Sequence, residues 1–152
     1  FKMGMLEKIE GKDEDRSIIP PSTRFVMGGT GIPYGEMLRG YTENRVGPFG
    51  STSGGDVMLK YSLEFRLSLS ENPTIYALSF FDMGNVWSKL DITDPFDLKR
   101  SAGVGVRVFI PMLGMLGYDI GYGLDATDFD INMNGNSEPY GWEYHLIFGM
   151  PF

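Results

Sequence analysis

Residues 141–152 read Gly141-Trp142-Glu143-Tyr144-His145-Leu146-Ile147-Phe148-Gly149-Met150-Pro151-Phe152. Every even position is apolar: Trp142, Tyr144, Leu146, Phe148, Met150 and Phe152. The odd positions carry Gly141, Glu143, His145, Ile147, Gly149 and Pro151, and Ile147 is the one large hydrophobe among them. A repeat of two residues is the repeat of a β-strand, whose side chains point alternately to opposite faces. One face of this strand is apolar along its whole length; the other is polar or small.

The same alternation recurs upstream. Leu116, Tyr118, Ile120, Tyr122 and Leu124 oppose Gly117, Asp119, Gly121, Gly123 and Asp125. Before them Ala102, Val104, Val106, Val108, Ile110 and Met112 oppose Ser101, Gly103, Gly105 and Arg107. Earlier still, Val57, Leu59, Tyr61, Leu63, Phe65, Leu67 and Leu69 oppose Asp56, Lys60, Ser62, Glu64, Arg66 and Ser68. Thr74 to Trp87 is less regular, because Tyr76, Leu78 and Phe80 share a face with Asp82 and Gly84. It reads as a strand whose inner face is partly apolar. A short strand over Phe1 to Ile9 completes a set of about six.

The connectors alternate in length. Ser70-Glu71-Asn72-Pro73 and Pro111 to Gly114 have the composition of tight turns. The others are long: about 10–53, 88–98 and 126–140. Short turns at one end and long polar loops at the other form the pattern of an outer-membrane β-barrel, with the short turns and Phe152 on the periplasmic side. A soluble β-sandwich also alternates. It does not account for an apolar face unbroken over five to seven positions with a glycine- and charge-rich face behind it. Six strands do not close a membrane barrel, and open edges in lipid leave backbone groups unpaired. The expectation is therefore the C-terminal part of an all-β barrel, with a long loop at about 10–53, the last five strands over 54–152, and upstream strands and periplasmic domains outside this chain. A start at Phe1 without a charged-then-apolar leader fits a processed or partial chain.

Bulk properties agree. The 152 residues suit about one domain, and 21 glycines with 14% aromatics suit a strand-rich one. A net charge of −7 argues against a general affinity for nucleic acid. With no cysteine, a disulfide scaffold and a cysteine-based zinc site are excluded. No run approaches the roughly 18 apolar residues of a membrane helix, which says nothing about a barrel that crosses with strands.

Several short motifs, in order, carry a resemblance. Leu38-Arg39-Gly40-Tyr41, in the longest loop, resembles the arginine-glycine-aromatic motif of the BamA family of outer-membrane insertases and their two-partner-secretion relatives. Phe80-Phe81-Asp82-Met83-Gly84 resembles that family's phenylalanine-x-aspartate-x-glycine strand motif, and Asn85-Val86-Trp87 continues it. Arg100 to Gly105 and Pro111-Met112 look like the following strand. Tyr144 to Phe152, with Leu146, Phe148, Gly149 and Pro151, resembles the terminal strand that serves as a targeting signal. The match runs from about Pro21 to Phe152.

The resemblance implies a barrel of about 16 strands that folds other β-barrels into the outer membrane, without catalysis, cofactor or metal. Its implied partners are outer-membrane lipids and lipopolysaccharide, nascent barrel clients and periplasmic accessory lipoproteins. It also implies that the long loop folds into the lumen, where Arg39 meets Asp82 and Glu64. The residue types agree: an arginine fork matches carboxylates, Glu64 lies on the polar face of its strand, and Gly40 and Gly84 allow close backbone approach. Gly149 and Pro151 weaken pairing near the chain end. In the family the first and last strands part and template incoming ones, a form of β-augmentation. A two-partner-secretion pore, the barrel of a lipase-fused relative, and a plain porin or adhesin are the competing readings. Periplasmic modules or a Gly-x-Ser-x-Gly elbow upstream would separate them.

Other signals are weak. Asp130 to Gly141 has the glycine of a calcium loop at its sixth position, Gly135, but lacks the final glutamate, so a polar hairpin loop with an Asn134-Gly135 turn is the plainer reading. Gly28-Gly29-Thr30-Gly31 lacks the Gly-Lys end of a phosphate loop and reads as flexibility. His145, the single histidine, has no second histidine or cysteine to form a metal or catalytic pair with.

Overall fold

The computed structural model describes residues 1–6, 23–32, 34–48, 54–135 and 137–149. The strands are β1 (Lys2–Met5), β2 (Val57–Glu71), β3 (Thr74–Trp87), β4 (Lys99–Ile110), β5 (Gly114–Gly123) and β6 (Gly141–Gly149), with one short helix, α1 (Asp128–Asn134). They form a single antiparallel sheet in sequence order, β1-β2-β3-β4-β5-β6. The fold class read from the alternation is the observed one. β1 is shorter than the strand expected over Phe1 to Ile9; residues 7–9 lie outside the described set.

The register aligns the apolar positions into rows across the sheet. Phe65 pairs with Ser79, Ser79 with Val104, Val104 with Ile120 and Ile120 with Tyr144. The next row runs Leu63, Phe81, Ala102, Tyr122, Trp142. Leu63 is 73% exposed, Phe65 69% and Phe148 66%. Among the described residues no second layer covers this face, which rules out a sandwich core there and leaves an apolar band of the kind lipid covers. Aromatic pairs on the band, Tyr122–Trp142 at 5.0 Å and Tyr118–Tyr144 at 6.5 Å between ring centroids, add cross-strand contact.

Two departures from strict alternation have local causes. The β2–β3 register slips between Ser68 and Ser70, so Leu69 sits at a bulge. Met112, expected at the end of the apolar row of β4, lies instead in the turn, fully exposed with a φ of 76°. Pro111 has no N–H to continue the ladder, and β4 stops at Ile110.

The buried apolar cluster lies behind the sheet, between its inner face and the segment 23–48. Met27, Leu38, Tyr41 and Val46 from that segment pack on Met58 of β2 and Val86 of β3, with Phe25 and Tyr140 alongside. Placing a charge on the opposite face tests the assignment of the two faces. Val104→Arg, in the middle of the band, is expected to destabilise the protein in bilayers by about 2–4 kcal/mol. Ser68→Arg, on the inner face, is expected to cost less than about 0.5 kcal/mol. Equal urea midpoints for the two variants would refute the lipid-facing band.

Candidate functional site

The segment 23–48 is held by bridges of its own. Met27 bridges to both Glu36 and Val46, Gly29 to Leu38, and Phe25 to Gly55. Gly28-Gly29-Thr30-Gly31, expected to be flexible, is instead a pinned turn. Gly28, Gly29 and Gly31 have φ of 140°, 55° and 79°. The backbone N–H of Thr30 donates to the Glu43 carboxylate at 2.6 Å, its hydroxyl donates at 2.5 Å, and the Gly31 N–H donates at 3.1 Å. The glycines are there because those angles strain any other residue, and the turn they make presents Leu38-Arg39-Gly40-Tyr41 to the wall.

Arg39 is 3% exposed. Its Nε donates to Asp82 Oδ2 at 2.7 Å and its Nη2 to Asp82 Oδ1 at 3.1 Å, the two-pronged geometry of a guanidinium on a carboxylate. Nη1 donates to Glu64 Oε2 at 2.8 Å and lies 3.5 Å from Asp119 Oδ2. The guanidinium also stacks on the Phe80 ring, 3.8 Å from its centroid. Burial opposes the charge on Arg39, but Asp82, then Glu64 and Asp119, outweigh it and raise its pKa.

The acids have further partners. The Ser62 hydroxyl donates to Asp82, Arg66 Nε donates to Glu64 at 2.6 Å, and both Arg107 Nη atoms donate to Asp119, Nη2 at 2.7 Å. Three carboxylates and three guanidiniums thus form one network on the inner wall, and the loop supplies its central cation, Arg39.

Gly40 sits flush on the wall. Its φ is 87°, and a Cβ there would fall 2.8 Å from Ser101 Cβ and 3.1 Å from the Tyr122 carbonyl carbon. The facing surface is also glycine: a Cβ on Gly121 would lie 2.7 Å from Gly40 N, and one on Gly123 2.6 Å from Gly40 O. Gly84 has the same role for Met27, whose Sδ would lie 2.7 Å from a Cβ at that position. Tyr41 is fully buried, and its hydroxyl donates to the Arg100 carbonyl at 2.7 Å. Burial pushes its phenol pKa well up.

The structure therefore brings together Arg39, Gly40, Tyr41, Glu64, Phe80, Asp82 and Gly84. The second group of site residues lies elsewhere. Tyr144, Leu146 and Phe148 are on the exposed apolar face of β6, and Gly149 pairs with Met115 at its end. Pro151 and Phe152 lie outside the described residues.

Sequence reasoning did not assign three residues of the site. Asp119 and Arg107 form a buried ion pair beside Arg39. His145, given no role, accepts a hydrogen bond from the Gly40 N–H at Nε2, 3.0 Å away. All three had the signal of a polar residue on an inner face. The connector 126–140 is also corrected: in place of an Asn134-Gly135 hairpin turn it contains α1. Thr127 caps α1 by accepting from the Asp130 N–H, and Gly135 closes it with a left-handed φ of 65°.

A sheet with one bare apolar face and one polar face carrying a docked loop and buried ion pairs defines part of a membrane β-barrel wall. The Omp85 superfamily domain matches residues 1–145, and the chain belongs to that superfamily of outer-membrane proteins, which insert or secrete other proteins. No curated protein matches the sequence.

Proposed function

We propose that this chain is the C-terminal barrel portion of an outer-membrane assembly factor, which inserts β-barrel clients through a lateral seam at its last strand. The observation that carries the reading is the fork of Arg39 on Asp82, which fixes a loop across the inner wall. A loop fixed there narrows the lumen, which supports a route for clients at an edge. β6, the last strand of the sheet, is held to it through β5.

In this reading further strands complete the barrel, because open edges in lipid are too costly. The short turns and the C-terminus face the periplasm. Tyr144, Leu146 and Phe148, with Gly149, Pro151 and Phe152, act both as the protein's own sorting signal and as one side of the seam. Clients add by strand pairing, lipopolysaccharide and lipid cover the band, and periplasmic lipoproteins assist. The work is non-enzymatic and uses no cofactor.

A disulfide between β6 and the barrel's first strand tests this. With the seam oxidised, client insertion into vesicles is expected to fall at least about tenfold and to recover on reduction. Full insertion through a locked seam would rule the reading out and favour the secretion-pore alternative, which exports through the lumen.

A further inference from the structure

We propose that the docked loop also latches the last strand: Gly40 and Thr42 hold β6 to the wall through Tyr140, Glu143 and His145. The role given to the latch rests on the seam reading above, whereas the latch itself is a property of the wall.

The loop grips the sheet at two separate places. Arg39 faces β2, β3 and β5 through Glu64, Asp82 and Asp119. The next three residues rest on β4 and β5 and also reach β6 and the residue before it. The Gly40 N–H donates to His145 Nε2 at 3.0 Å. The Thr42 hydroxyl donates to Glu143 Oε1 at 3.0 Å and shares a 2.6 Å hydrogen bond with the Tyr140 hydroxyl. The Tyr41 and Tyr140 rings lie 5.2 Å apart. Glu143 and His145 are successive inward positions of β6, so the loop covers the middle of its inner face.

The two grips differ in strength. The Arg39 fork is buried and charged on both sides. The β6 contacts are neutral at His145 and partly exposed at Thr42, Tyr140 and Glu143. An acceptor at His145 Nε2 also requires the neutral ring with its proton on Nδ1. The weaker grip is on β6, the last strand of the sheet, so β6 can be released while Arg39 stays anchored. His145, Glu143, Tyr140 and Thr42 are thus positioning residues that set how readily β6 moves.

Hydrogen exchange of the intact protein in vesicles of outer-membrane lipid tests the latch. In Thr42→Val combined with His145→Leu, exchange at Trp142 to Leu146 is expected to rise about tenfold, with β4 unchanged to within about twofold. Thr42 wild type with His145→Gln, whose side-chain amide puts an acceptor near the Nε2 position, is expected to keep β6 protected. Unchanged β6 exchange in the double variant overturns the latch, and so does an equal rise in β4 and β6. Client insertion is followed in the same vesicles. Raised β6 exchange with unaltered insertion supports the latch and refutes the seam; raised exchange with altered insertion supports both.

Discussion

Arg39→Ala is expected to free the loop from the wall and to abolish most of the assembly activity proposed above. The substitution removes both prongs on Asp82, the bond to Glu64 and the stack on Phe80. Breaking a buried ion pair from one side costs about 3–5 kcal/mol, because the surviving charge stays buried. The lower end applies here. Asp82 keeps the Ser62 hydroxyl, Glu64 keeps Arg66, and Asp119 keeps Arg107. About 3 kcal/mol still changes the ratio of docked to free loop by roughly a hundredfold. Limited proteolysis of residues 23–48 should show that change directly. A loop as resistant as wild type, with full insertion activity, would remove the role assigned to the fork.

Reversing the pair sharpens the same test. Arg39→Asp alone places a fourth carboxylate among Glu64, Asp82 and Asp119, so it should be worse than alanine. Adding Asp82→Arg returns a cation to the cluster and should restore docking in part. Full restoration is not expected, since an aspartate at 39 cannot satisfy Glu64 or pack on Phe80 as a guanidinium does.

What was legible in the sequence follows from what sets each feature. The strands depend on a two-residue repeat that every strand carries in its own residues, so Val104, Tyr118 and Leu146 declared their face without help. Pro111 and Asn72-Pro73 marked the tight turns. The pairing of Arg39 with Asp82 and Glu64 was legible only through motifs. Nothing local to residue 39 says which wall it meets. Asp119 and His145 were visible as inward-facing polar residues, but their place beside the loop is fixed by register. Asp119 sits opposite Gly105 on one side and His145 on the other, and no periodicity within one strand gives that alignment. The helix α1 was hidden by its aspartates and asparagines, which read as a loop; Thr127-x-x-Asp130 was the capping signal to weigh against that composition.

Gly40→Val is expected to reproduce the loss expected of Arg39→Ala while leaving every charge in place. The backbone at Gly40 has a φ of 87°, a region that costs a β-branched residue about 1–3 kcal/mol. The steric term is larger in consequence, because what a Cβ meets is the wall itself: Ser101 Cβ at 2.8 Å, then the backbone of Tyr122 and Gly123 at 3.1 and 3.2 Å. Backbone of a central strand cannot swing aside as a side-chain end can. The loop must therefore lift, and lifting it carries Arg39 away from Asp82. Strain and clash separate experimentally from the wall side. Gly121→Ala and Gly123→Ala put a methyl against Gly40 N and O at 2.7 and 2.6 Å, without any change at the strained residue. Both should raise loop proteolysis as Gly40→Val does. Because all of these act on one docking event, combining Gly40→Val with Arg39→Ala should be no worse than either alone. Additive losses would mean that Gly40 and Arg39 serve separate purposes, and the picture of a loop seated on a glycine slot and held there by one arginine would have to be given up.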